Sequence, residues 1–384
     1  MSKFNNYNPN IIGHTIVELS QAREDLAATT VGVCALFAGG EAYNSGSLYF
    51  STVDAYNKNN LTRSTRTPLS AGRRDLAATT VGDYALFGGG YGSGYGSSAY
   101  YSTVDAYDAN LVLSTPTTLG EGKSRLSATT VGNYALFAGG YNGSSRFSSV
   151  EVYNTSLAKS TATSLNVSRN SMCSTTIGNC ALFAGGLTGS TNAVKTVDAY
   201  NSNLSKSTAT ELSDYSAYSA ATTVGDYALI ALGGVENTSA KSNIDVYNGN
   251  LIRSNTLELS LARIELSATS TETQALFAGG RSTGNVSQSV VDAYNSDLLR
   301  SNPDGLSKGR QNGAATTVGK YALFGGGYTA YNNNFYCAVV DVYYENLGVI
   351  EFTACKNSTY KFQNMSDEIT VTEDFSTISI PTPA

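Results

Sequence analysis

The residues best suited to chemistry recur at regular intervals. Seven carboxylates, Asp54, Asp105, Glu151, Asp198, Asp245, Asp292 and Asp341, each stand two residues before a tyrosine (Tyr56, Tyr107, Tyr153, Tyr200, Tyr247, Tyr294 and Tyr343). Seven equivalent acids invite a cation ring, but a group repeated in every copy more readily serves the fold. A basic residue recurs in step at Arg23, Arg73, Lys123, Arg169, Arg263 and Arg310, with Ser216 in the fifth copy. A buried carboxylate needs such a partner. The chain has one histidine, His14, flanked by Gly13 and Thr15. With no second imidazole and no orienting carboxylate beside it, His14 supports neither a copper or zinc site nor a histidine-based nucleophile. No cofactor and no metal are expected.

Other apparent motifs dissolve on inspection. Gly120–Ser124 (GEGKS) resembles the end of a phosphate loop, but position 117 is threonine where that loop needs glycine. The glycines of Gly88–Gly96 contain no GxGxxG in register. Five cysteines, Cys34, Cys173, Cys180, Cys337 and Cys355, form no CxxC and read as core residues of a reduced protein. The net charge of −6 argues against nucleic acid as partner. No apolar run is long enough to cross a bilayer, and the N-terminus MSKFNNYNPN lacks the apolar stretch of a secretory signal. The expectation is a cytoplasmic or virion- or surface-associated protein without a membrane partner.

The elements that must position these residues come from a repeat. ALFAGG or a close variant occurs at Ala35–Gly40, Ala85–Gly90, Ala135–Gly140, Ala181–Gly186, Ala228–Gly234, Ala275–Gly280 and Ala322–Gly327, a period of 46 to 50 residues. Such a period marks a solenoid or propeller. In the second copy, Leu76–Val81 reads as a small-residue strand and Gly82-Asp83 as a two-residue hairpin turn. Tyr84–Gly88, Ser102–Tyr107 and Leu111 to about Leu119 read as three further strands. The fold class is therefore all-β, a seven-bladed β-propeller of four-stranded antiparallel blades. The first strands should crowd the centre, and Leu and Phe of ALF should pack between blades.

Ring closure is also legible. Asn10–Ser20 aligns with Asn60–Ser70, so an N-terminal outer strand is expected to complete blade seven. It competes with 346–352, whose Asn346-Leu347 and following residues also resemble the start of a fourth strand. The propeller is assigned to 10–350, and 351–384 to a short β-rich extension or the stub of a following domain.

The order of small-residue strand, apolar strand ending in Gly-Gly, strand ending in Tyr, then Asn-Leu resembles the Kelch repeat over roughly nine-tenths of the chain. The Gly-Gly pair, the repeated Tyr and the Arg before the first strand carry the likeness. The Kelch tryptophan is missing, with Leu61, Leu111, Leu157, Leu204, Leu251 and Leu298 near its place. The resemblance implies a galactose-oxidase-like propeller without the copper site, and most often a binding platform. It does not fix a ligand.

In such blades the loop after Gly-Gly and the loop entering the first strand emerge at one end. The former vary most and are rich in Tyr, Gly, Ser and Asn, the residues paratopes favour. The candidate ligand-binding residues are Tyr43, Tyr91, Tyr95, Tyr141, Tyr328 and Tyr331, with Arg23, Arg73, Arg169, Arg281 and Arg310 for acidic groups or sugar hydroxyls. The alternative for these arginines is pairing with the repeated Asp. The expected function is non-enzymatic recognition of a protein or glycan. The competing reading is a sugar-acting enzyme, of the isomerase or lyase type found among Kelch-like proteins. An enzyme should show one asymmetric axial pocket with converging titratable groups, and a binder a broad polar-aromatic surface.

Overall fold

The structure, a computed structural model, describes residues 12–43, 46–94, 97–235, 240–330 and 335–345, together with the strands at 350–353, 359–361, 368–370 and 377–380. It is an all-β, seven-bladed propeller. Blade two shows how sequence makes the unit. Ala77–Val81 pairs with Tyr84–Gly88 through the two-residue turn at Gly82, whose φ of +52° suits glycine. Tyr84–Gly88 pairs with Val104–Asp108, and that strand with Leu113–Ser114. The fourth strand is thus much shorter than the sequence predicts. Leu111 belongs to the turn before it, at φ +63°. The equivalent leucines of blades one and three to six share this left-handed backbone, and Leu111 and Leu251 are buried against the neighbouring blade.

The first strands of neighbouring blades touch one another around the whole ring. Small side chains there let seven strands converge. On the next strand, Phe87 packs with Leu36 of blade one while Leu86 packs with Phe137 of blade three, so the two faces of each blade meet different neighbours. The repeated tyrosines are fully buried, and each donates its hydroxyl hydrogen to a carbonyl of the preceding blade: Tyr107 to Thr67 at 2.8 Å, Tyr200 to Thr163 at 2.8 Å. A buried phenol must find such an acceptor, so the Tyr fixes the spacing of blades as well as filling it.

Ile12–Glu18 lies at the outer edge of the sheet holding Ala314–Val318, Tyr321–Gly325 and Val339–Glu345, and so closes the ring. Tyr56 of blade one donates to the Glu18 carbonyl at 2.7 Å, as Tyr107 does to Thr67. His14 reaches Asp341 at 2.8 Å and stacks on Tyr343 at 4.7 Å between ring centroids. The competing segment is engaged elsewhere: Ile350–Thr353 pairs with Thr377–Ile380, and 346–349 lie outside the described residues. The chain divides into two compact units, His14–Tyr343 and a second drawn from Met1–Gly13 and Tyr344–Ala384. In the second unit, Thr359–Lys361 also pairs with Glu368–Thr370.

Candidate functional site

The loops do emerge at one end. In every blade the residue after the repeated basic position forms an isolated bridge with a residue at the end of the second strand's glycine pair: Glu24 with Glu41, Arg74 with Tyr91, Ser124 with Tyr141, and so on to Gln311 with Tyr328. One residue further along, Asp25, Asp75, Arg125, Ser171, Tyr218, Glu265 and Asn312 surround the axis. Each has φ between +53° and +57°. Each backbone N–H donates to the carbonyl of the ring residue in the preceding blade, from Asp75 to Asp25 at 3.0 Å round to Asp25 to Asn312 at 3.0 Å. Seven hydrogen bonds thus form a closed circle. Below it, threonine hydroxyls join blade to blade, as in Thr29 to Thr80 at 2.8 Å and Thr79 to Thr130 at 2.7 Å.

This circle is the mouth of a cavity of about 430 Å³, asymmetric in its lining. Leu26, Leu76, Leu126, Met172 and Leu266, which follow the circle residues in those blades, also line the cavity, though their side chains are mostly buried between blades. Its charged groups gather on blades one, two, three and six. Arg74 contacts Glu41, Asp25 at 3.2 Å and Asp75 at 3.6 Å, and Arg125 approaches Asp75 at 3.5 Å. Asn312 donates to Glu24 at 3.0 Å. Burial pushes the Glu24 carboxyl up to about 7, opposed by the Asn312 hydrogen bond and reinforced by Glu41. Burial, then Asp75 and Glu24, raise Asp25 well above the usual carboxylate range. Burial likewise raises Glu41, while Asp75 holds the Arg125 guanidinium above its ordinary value. Proton-holding groups in a cleft are a mark of function.

The arginines proposed from sequence lie elsewhere. Arg23, Arg73, Arg169 and Arg310 are buried and pair with Asp54, Asp105, Asp198 and Asp341 at 2.6 to 2.9 Å. Arg23, Arg73, Arg169 and Arg310 also donate to the carbonyl of the Phe in their own blade's ALF segment, as Arg73 does to Phe87 at 3.2 Å. These four are corrected from ligand contacts to a structural lattice, because a guanidinium sealed from solvent cannot reach a ligand. Arg281 differs. It forms a two-point pair with Glu265 of the axial circle, at 2.7 and 3.0 Å, and is 8% exposed.

Of the tyrosines, Tyr91, Tyr141 and Tyr328 occupy one structural position in blades two, three and seven, each half-buried. Tyr43 is exposed on the hairpin Glu41–Tyr43 with Ser47–Tyr49. Tyr95 and Tyr331 lie outside the described residues. The structure adds Tyr49 and Tyr100, which complete an aromatic arc over blades one to three. Tyr49 meets Tyr91 at 5.8 Å, Tyr91 meets Tyr100 at 4.9 Å, and Tyr100 meets Tyr141 at 6.3 Å between centroids. Arg74 lies over Tyr91 and Arg146 over Tyr141, at 5.6 and 5.0 Å. Both marks set out above are therefore present, a broad polar-aromatic surface and an asymmetric axial pocket.

The axial circle was missed by sequence reasoning, although a signal existed. Two residues after an almost constant Arg, the repeat changes identity in nearly every copy. The fifth blade departs in another way. Its strand ends at Ala231, so Leu232 stands where other blades have the first glycine, and the Gly-Gly pair falls one residue late. Gly233 donates to Ser216 Oγ at 2.9 Å. In blade four, by contrast, Gly186 donates across the seam to the Ser216 carbonyl at 2.8 Å.

No sequence profile of a known family matches the chain, and no curated protein matches it by sequence. Among solved structures, that of YjhT is similar, with a TM-score of 0.60 at 13% identity over 75% of this chain and 99% of that one. The likeness is one of fold.

Proposed function

We propose that this propeller is a Kelch-type recognition module that binds a glycan at the axial mouth and along the aromatic arc, without transforming it. One observation carries the reading: the circle around the axis keeps one backbone conformation in all seven blades while its side chains differ. The fold needs only the backbone there, so side-chain identity is free to serve a ligand. Support comes from a mouth lined chiefly by polar donors and acceptors, which suits the hydroxyl edges of a sugar. The flanking tyrosines give contact area at low entropic cost. A glycan array and a pulldown, each repeated with the triple variant Y91A/Y141A/Y328A, test it. Glycan binding lost in the variant supports the reading. Capture of a protein with no glycan hit transfers the surface to a protein ligand, and binding unchanged by the variant removes the arc from it.

A second reading, a sugar-acting enzyme, is favoured by Glu24 and Asp25. A carboxyl held near 7 is matched to proton transfer at neutral pH. Turnover of simple sugars followed by proton NMR, abolished by E24Q, would put it first.

A further inference from the structure

We propose that blade three carries an oxyanion subsite, in which Arg125 and Arg146, on either side of Tyr141, take a carboxylate or sulfate substituent of the ligand. The placement comes from the backbone. Ser124 bridges Tyr141, and Tyr141 bridges Arg146, so the segments bearing Arg125, Tyr141 and Arg146 lie side by side. Arg125 is the one basic residue in the axial circle, and Arg146 sits in the loop after the same blade's glycine pair.

Each guanidinium is held in the same manner. Arg125 uses Nε toward Asp75 at 3.5 Å, and Arg146 uses Nε toward Asn170 Oδ1 at 2.9 Å. Neither has a hydrogen bond from its terminal nitrogens among the described residues. Anchoring through Nε orients the planar group and leaves its paired N–H donors for a partner of matching geometry, which carboxylate and sulfate oxygens supply. Arg146 is further fixed over the Tyr141 ring at 5.0 Å. Arg125 remains 39% exposed. It lies within electrostatic reach of the Tyr100 phenol, and Tyr100 packs on Tyr141.

The local charge balance permits an anion. Asp75 is shared between Arg74 and Arg125, and Glu151 is buried against Lys123 at 2.8 Å. The pocket's remaining acids belong to blades one and six. Among the described residues, no other blade offers two arginines with free terminal donors at the mouth: Arg74 is taken up by Asp25, Glu41 and Asp75, and Arg281 by Glu265.

The proposal rests on the recognition reading only for the carrier of the anion. The test is calorimetry at constant ionic strength with four probes: a uronate-bearing tetrasaccharide, its carboxyl-reduced form, a sulfated tetrasaccharide and its desulfated form. At least one charged probe should bind about tenfold or more tighter than its neutral twin. Which one does so distinguishes carboxylate from sulfate. R125A/R146A should erase the advantage of the charged probe, bringing the ratio of charged to neutral affinity to about one. R125K/R146K, which keeps charge but not the fork, should recover only part of the difference. Equal affinity for charged and neutral probes in the parent protein overturns the proposal, as does equal loss of both in the double variant. If no tetrasaccharide binds, the recognition reading fails and sodium sulfate decides the subsite. Saturable shifts of the Arg125 and Arg146 Nε–H resonances, relative to chloride, uphold it, and their absence overturns it.

Discussion

Two positions only two residues apart in each repeat have opposite histories. At the first, five blades hold arginine, one lysine and one serine, and each cation is sealed against a repeated carboxylate. At the second, Asp, Asp, Arg, Ser, Tyr, Glu and Asn follow one another round the axis. Both positions are structural in their backbone, but only the first is structural in its side chain. The buried carboxylate needs a cation wherever it stands, since removing its partner strands it in a dry interior. In blade five, where Ser216 replaces the cation, Asp245 stays buried and Arg253 reaches it at 3.3 Å instead. The axial side chain points into a cavity, and its neighbours do not depend on it to the same degree. Repetition thus separates what the fold requires from what a ligand can use.

Breaking the first position should have the largest effect. R73M leaves Asp105 buried without its cation, and unfolding in urea should show a loss of about 3–5 kcal/mol. Replacing both, as R73M/D105L, should restore a substantial part of it. If R73M were neutral for stability yet abolished ligand binding, the division between the two circles would be wrong.

The axial acids offer a pH test of the second position. A carboxyl whose pKa rises on folding binds more protons in the folded state than in the unfolded one between its ordinary value and the raised one. Stability contributed by that proton is complete below the ordinary carboxylate pKa and is lost as pH rises through about 7 for Glu24. The parent protein should therefore lose stability between about pH 5 and 8. E24Q, which cannot ionise, should flatten that limb and be more stable at pH 8 by about 1–3 kcal/mol. Asp341 acts in the other direction. Burial would raise its pKa, but Arg310, the Ser307 N–H and His14 bring the net value below the ordinary one. Its contribution is present above the unfolded carboxylate pKa and disappears as pH falls below it, so acid should release the closing strand Ile12–Glu18. A stability profile unchanged by E24Q would show that the axial mouth is not proton-loaded.

How much of this was legible follows from which interactions are local. Gly82-Asp83 between two apolar runs gave a hairpin because the turn's chemistry is contained in two residues. The ALF segments gave the inner sheet for a similar reason, and an eleven-residue match placed the N-terminal strand in blade seven. The repeated Arg and Asp were visible as residues, but their meeting across about thirty positions was one of two readings, and burial decided it. The left-handed turn at Leu111 was not legible, because leucine does not favour that backbone. It is held there by the inter-blade contacts its side chain gains. The axial circle was hidden for a related reason: no local feature of Ser171 or Tyr218 announces a positive φ, which seven converging blades impose together.

Blade five tests whether the shared circle alone holds a seam. Between blades five and six the described residues show neither the glycine N–H to arginine carbonyl bond nor a threonine hydroxyl pair, although Glu265 still donates to the Tyr218 carbonyl at 3.2 Å. Hydrogen exchange should find the amides of Gly233 and Glu265 opening at lower free energy than those of Gly90 and Arg125, by about 1 kcal/mol or more. Uniform protection around the ring would show that the backbone circle suffices.

The smallest expected effect sharpens the comparison most. Asparagine tolerates the left-handed backbone better than serine does, so S171N should raise stability by a few tenths of a kcal/mol, read as a higher melting temperature. R125N should likewise cost little or gain slightly, because the backbone bonds from Arg125 to Asp75 and from Ser171 to Arg125 do not involve the side chain. A ring of asparagines would therefore satisfy the fold at least as well as the residues present. That the chain instead places a different side chain in nearly every blade is what the proposed ligand site at the axis rests on. A large destabilisation by R125N would return Arg125 to the scaffold and leave recognition to the outer loops.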